Sequence, residues 1–357
     1  MELIQHQKGF KVSRKLSVSA TISLSLLTAT AAVANEITIT SWGGTYQDGQ
    51  RVTYFEPFTA KTGTKVVEET YSGELAKIKA QVDSGDVTWD VVDVDSNMIA
   101  TGCDEGLFET LDYSRILDRS KFIDGAATDC AVGTIVVTTV TAYDKTVFAE
   151  GPKTVNDFFD LQKFPGKRGL WKRPYVNLEW ALIADGVAIG DVYKQLSTPE
   201  GVDRAFAKLD TIKDQLVWWE AGAQPAQLLA DKEVAITSAW SGRIQTAISK
   251  ENKPFAVVWD AQALDFNFWA IPRGAKKLDD SYAFIAFASD ASVMSKQSLV
   301  SAYGPTNKDA LALIAPDVVE TLPTAESHMT NPLVYDAKFW GQNGEELTKR
   351  FNNWLAK

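Results

Sequence analysis

The sequence predicts an α/β protein built as two lobes. Three observations support that expectation: alternating or β-branched segments separated by helical patterns, about 320 residues left once an export leader is set aside, and no later apolar run long enough to span a bilayer. Strands that alternate with helices imply a mainly parallel sheet covered on both faces. In such a sheet ligands sit outside the carboxyl ends of the strands.

The leader is read from residues 1–34. Lys8, Lys11, Arg14 and Lys15 precede an uncharged run from Leu16 to Ala31, and the small residues Ala32 and Ala34 suit the export peptidase. Cleavage is expected between Ala34 and Asn35, and the mature chain is expected in the periplasm. The run is too short and too rich in Ser and Thr to anchor in a membrane. The full chain holds 36 Lys and Arg against 46 Asp and Glu, a net charge of −10, and the leader removes four bases but only Glu2. So acidic a body repels nucleic acid and phospholipid headgroups and favours encounter with cations. Cys103 and Cys130 form an even pair in an oxidising compartment, so one disulfide is expected. With no CxxC and only His328 left after cleavage, no metal site and no cofactor are expected.

Each element then follows in order. Residues 37–40 alternate as a strand, and Ser41-Trp42-Gly43-Gly44 breaks it. A helix with Phe55 and Phe58 on one face runs to Gly63, a suitable C-terminal cap. A strand over 65–69 leads to a helix over 74–84, and a third strand over 89–94 ends in the polar cluster Asp93, Asp95, Ser96 and Asn97. The β-branched run 134–141 is the best buried-strand candidate and leads into a crossover. Farther on, Phe164-Pro-Gly-Lys-Arg is a loop, a helix starts near Leu178, Pro199 opens another that runs to about 213, and 216–219 is a short strand. Residues 266–271, stopped by Pro272 and Gly274, form the return strand before a helix around 283–288. The expected organisation is a first lobe over 35–141, a second over 142–268, and a return to the first with C-terminal helices over 269–357.

Catalytic constellations are absent from this pattern: there is no GxSxG elbow, P-loop or GxGxxG. Aromatic residues are plentiful instead, with 11 Trp and 10 Tyr, and Trp42, Trp240 and Trp269 stand at predicted strand ends. Aromatic walls hold alkyl chains and attract ammonium groups through the ring quadrupole. Lobe core is the plainer role for any one of them.

Seven strings occur in order along the mature chain: Ser41-Trp-Gly-Gly-Thr-Tyr46, Trp89-Asp-Val-Val-Asp-Val-Asp95, Phe164-Pro-Gly-Lys-Arg168, Asn177-Leu-Glu-Trp-Ala-Leu182, Trp218-Trp-Glu-Ala-Gly-Ala-Gln224, Trp240-Ser-Gly-Arg243 and Tyr303-Gly-Pro-Thr-Asn307. Together they resemble the spermidine/putrescine-type periplasmic solute-binding proteins of ABC transporters. The resemblance implies a type II-like fold with its ligand cleft between the lobes and strand crossovers as the hinge. It also implies a monomer that delivers its ligand to an inner-membrane permease. Carried over residue by residue, it places Trp42, Tyr46, Asp95 and Ser96 on the first-lobe wall. Glu179, Trp240, Arg243, Asp265, Asn267, Trp269, Tyr303 and Gln342 complete the expected site.

Two departures from the polyamine pattern narrow the ligand. Asn267 stands where a polyamine receptor has its aspartate, although Asp265, two residues earlier, projects to the same face of a strand. Arg243 puts a permanent positive charge where a diamine would be repelled, yet a guanidinium suits a carboxylate. The expected ligand is a small amine, a polyamine or an ω-amino acid such as 4-aminobutyrate, with Arg243 favouring the latter. A secreted hydrolase using Asp95 and Glu179, and a sensor that only binds, are the competing readings.

Overall fold

A computed structural model describes residues 35–148 and 150–357; the leader expected over 1–34 lies outside the described residues. Ten strands are formed: β1 (Glu36–Ser41), β2 (Lys65–Thr70), β3 (Val91–Asp95), β4 (Ala131–Asp144), β5 (Arg168–Trp171), β6 (Leu216–Trp219), β7 (Ile236–Trp240), β8 (Phe255–Ala270), β9 (Gly304–Pro305) and β10 (Leu333–Val334). They join in one sheet in the order β2-β1-β3-β8-β4-β7-β5-β6, with β10 beside β8 and β9 beside β4. No helix among the described residues is long and apolar enough to cross a membrane.

The expectation of a mainly parallel sheet holds only for the outer strands. β1 pairs in parallel with β2 and β3, and β5 with β6 and β7. The centre is antiparallel, because β4 carries the chain out of the first group and β8 carries it back in the opposite sense. β8 is also far longer than the return segment expected over 266–271. Both central strands belong to both halves: residues 267–270 of β8 lie beside β3, while 139–143 of β4 lie beside β7. Their mutual register jumps from Thr139 opposite Ala263 to Thr141 opposite Val258. The extra residues loop out around Ala261, which has φ 51° and accepts a hydrogen bond from Trp180 Nε1 at 2.9 Å.

Local signals act as their chemistry dictates. The first helical stretch ends at Gly63, whose φ is 81° and whose N–H closes on the Thr59 carbonyl at 2.8 Å. Phe55 and Phe58 bury their rings against Phe284. Asp95 ends β3 and caps the helix Ser96–Asp104 by accepting the Met98 N–H at 2.9 Å. Cys103 near the end of that helix is bonded to Cys130 just before β4, with their Cα atoms 6.1 Å apart.

Two large cores flank the sheet's two ends. Ile37, Ile39, Phe58, Trp269 and Phe284 anchor the first, and Phe158, Trp180, Phe206, Phe351 and Trp354 the second. After β8, the helices Leu278–Ser289 and Ala291–Ser301 pack in the first core. The terminal helix Ala337–Leu355 instead buries Phe339, Trp340, Leu347, Phe351 and Trp354 in the second.

Candidate ligand-binding site

One cavity of about 60 Å³ opens between the two halves of the sheet, room for about four to six water-sized spheres at ~10–15 Å³ each. The central strands supply its floor through their two-residue period: Ile135, Val137 and Thr139 from β4, and Ala263, Asp265 and Asn267 from β8. Its walls come from strand ends, with Trp42 after β1, Asp95 closing β3, Trp171 closing β5 and Trp240 closing β7. Tyr46, Asn97, Tyr175, Val176, Arg243, Tyr303 and Tyr335 complete it. Strand carboxyl ends from both parallel groups therefore converge here, as the α/β rule requires.

The buried carboxylate of Asp93 organises one side. It accepts hydrogen bonds from Tyr46 Oη at 2.7 Å, Gln50 Nε2 at 2.6 Å, Asn267 Nδ2 at 2.8 Å and Trp42 Nε1 at 3.1 Å. Burial pushes its pKa up to about 6 against the pull of those donors. Three wall residues are thus oriented by one group that does not face the cavity, Asn267 through one amide N–H. Trp42 packs edge-on against Trp240 at 5.7 Å, and Tyr46 against Tyr303 at 5.4 Å.

Arg243 lies on the helix Ser241–Glu251 and is only 6% exposed. Its Nη1 donates to the Gly43 carbonyl at 3.0 Å and its Nη2 to the Trp42 carbonyl at 3.2 Å, while its buried Nε has no hydrogen-bond partner. Among the described residues it forms no ion pair. Gly44 makes this approach possible: its φ is +58°, and a Cβ there would lie 2.6 Å from Arg243 Nη1. The Gly43-Gly44 pair thus seats a guanidinium. Burial pushes the Tyr303 hydroxyl up to about 12, with the Arg243 charge drawing it back.

The acidic part of the wall holds Asp95 and Asp265. Burial, then the charge of Asp95, push Asp265 up to about 7, while the Ser96 hydroxyl and the Phe266 N–H draw it down. Burial raises Asp95 too, opposed by the Met98 N–H and by Arg173. Neighbouring acids that resist joint ionisation suit an incoming cation.

Of the residues expected from sequence, Trp42, Tyr46, Asp95, Trp240, Arg243, Asp265, Asn267 and Tyr303 line this cavity. Four do not. Ser96 is buried behind Asp265. Glu179 is fully buried and accepts Trp340 Nε1 at 2.7 Å, behind the aromatic wall. Trp269 shares the face of β8 that carries Asp265 and Asn267, but it lies beyond the cavity in the first core, edge-on to Phe284 and Tyr54. Gln342 is exposed on the terminal helix. Sequence reasoning missed Trp171, which ends a four-residue strand, and Tyr335, which follows a two-residue one. The run over 134–141 signals a buried strand but not which of its faces meets a cavity.

The sequence profile of the bacterial extracellular solute-binding proteins matches residues 53–327. The chain belongs to that family. A gamma-aminobutyric acid-binding protein of Pseudomonas aeruginosa is 45% identical to this solute-binding protein over 334 residues, 94% of this chain and 95% of the relative. The solved Atu4243-GABA receptor matches with a TM-score of 0.80 at 34% identity, covering 90% of this chain and 98% of the receptor. AgtB from A. tumefaciens R10, solved in complex with agropinic acid, matches with a TM-score of 0.83, also at 34% identity, over 90% and 99% of the two chains. This solute-binding protein is the binding component of an ABC importer, with a permease as partner, and not an enzyme.

Proposed function

We propose that the solute is an ω-amino acid of the 4-aminobutyrate type, held as a zwitterion. The observation that carries this reading is Arg243: it is buried in the cavity wall and, among the described residues, has backbone carbonyls but no carboxylate as partner. A ligand carboxylate answers that need with a charge-assisted hydrogen bond. Asp95 and Asp265 receive the ammonium, and Trp42, Trp171, Trp240, Tyr175 and Tyr335 enclose the methylenes. The small cavity volume and the gamma-aminobutyric acid-binding relatives support the same ligand. A diamine would leave Arg243 unanswered and set one ammonium against it.

In this reading the mature protein, cleaved between Ala34 and Asn35, works as a monomer in the periplasm. Its lobes close about the register jump in β4 and β8. Titration calorimetry with 4-aminobutyrate and with putrescine tests the ligand: heat from the amino acid and little from the diamine is expected. Tight putrescine binding with no response to 4-aminobutyrate would refute it.

A further inference from the structure

Outside the cavity wall, a second arginine bridges the two halves of the sheet. Arg173 follows β5, yet its Nη2 donates to the carbonyl of Ser72, which follows β2, at 3.0 Å. The guanidinium lies over the ring of Trp171, 5.0 Å from its centroid. The accepting turn is held in place from its own side. The Ser72 N–H donates to the Glu74 carboxylate at 2.9 Å, and Gly73, with φ +78°, lets the turn press on the ring of Trp42, where a Cβ would stand 2.5 Å away. Donor and acceptor are therefore each seated on a tryptophan that lines the cavity, one from each half.

We propose that Arg173 is a closing latch that sets how long the ligand stays without touching it. This rests on the lobe-closure reading above. The Arg173–Ser72 bond spans the two halves, so it is made only when they meet and must break before they part. A contact of that kind slows dissociation and leaves the encounter with the open form unchanged. Arg243 ties the halves through Trp42 and Gly43 but is also a ligand contact; Arg173 supplies closure alone.

The test is stopped-flow tryptophan fluorescence on the mature protein at about pH 8, comparing wild type, Arg173→Met and Arg173→Lys with 4-aminobutyrate. Arg173→Met is expected to release ligand about tenfold faster, the scale of one hydrogen bond to a charged group at a partly exposed site. Association and the melting temperature of the ligand-free protein are expected to stay as in wild type. Arg173→Lys keeps a charge near Asp95 without the planar reach and is expected to behave like Met. Unchanged dissociation, a matching loss in association, a lower ligand-free melting temperature, or full recovery by Lys would each overturn the latch. If wild type does not respond to 4-aminobutyrate, the ligand assignment falls, and the same rates read with putrescine still decide the latch.

Discussion

A buried guanidinium keeps its proton, so Arg243 must be answered by an anion or by carbonyl dipoles. The carbonyls of Trp42 and Gly43 answer its two Nη atoms and leave Nε. Arg243→Met is expected to weaken 4-aminobutyrate binding by about 2–3 kcal/mol, roughly 30- to 160-fold, from loss of a charge-assisted contact; calorimetry measures it. Asp265 titrates in the opposite sense from an ordinary salt-bridged carboxylate. Its pKa is raised in the folded protein to about 7, above an unfolded value of about 3.9. The stability it contributes is therefore present below about pH 4 and is lost as pH rises towards 7. Ligand affinity runs the other way, because the ammonium requires the ionised form. Between pH 7.5 and 5.5, affinity is expected to fall by up to about tenfold per unit, and Asp265→Asn is expected to bind weakly with a flat profile. A wild-type affinity that holds constant across that range would rule out the role given to Asp265.

The aromatic wall depends on how the terminal helix docks. Trp340, on the helix Ala337–Leu355, stands edge-on to Tyr175 at 4.5 Å and donates its Nε1 to Glu179 at 2.7 Å. Burial pushes Glu179 up to about 7, so stability associated with its neutral form declines as pH climbs from about 4.5 to 7. Gln at this position keeps the acceptor and removes the charge. Glu179→Gln is expected to melt with wild type at pH 4 and above it at pH 8, and equal melting at both would show that the carboxylate is not strained by its surroundings. The disulfide fixes another element. It closes a separation of 27 residues between the helix after β3 and the start of β4, a constraint worth about 3–4 kcal/mol in the chain-entropy picture. The Cys103→Ser, Cys130→Ser double variant is expected to lose about that much in denaturant unfolding while still binding ligand.

Closure draws on both halves of the sheet, so ligand should compact the protein. Small-angle scattering is expected to show a smaller radius of gyration with 4-aminobutyrate just sufficient to saturate wild type, and little change at that concentration in an Arg243→Met variant; an unchanged wild-type radius would contradict a hinged cleft. Much of this was legible in residue order. Strand ends, the Gly63 cap and the cysteine pair follow from local chemistry, since a strand's period and a turn's glycine act over a few positions, whereas the eight expected residues that line the cavity came through the family resemblance. Glu179 and Trp269 lie outside the cavity for a different reason: which side of an element meets a cleft, and how far along it the cleft extends, depend on partners more than a hundred residues away, such as Trp340 for Glu179 and Tyr54 for Trp269. Tyr335 was invisible because two residues of strand leave no periodic trace. The chain's order of residues, with the family resemblance it carries, determined an α/β solute-binding protein. Folding in three dimensions determined that Asn267 is fixed by donating its Nδ2 to Asp93 while Asp265 stands on the same cavity-facing side of β8, and that Arg243 meets no carboxylate among the described residues, because the fold brings it to the backbone carbonyls of Trp42 and Gly43 in the other half instead.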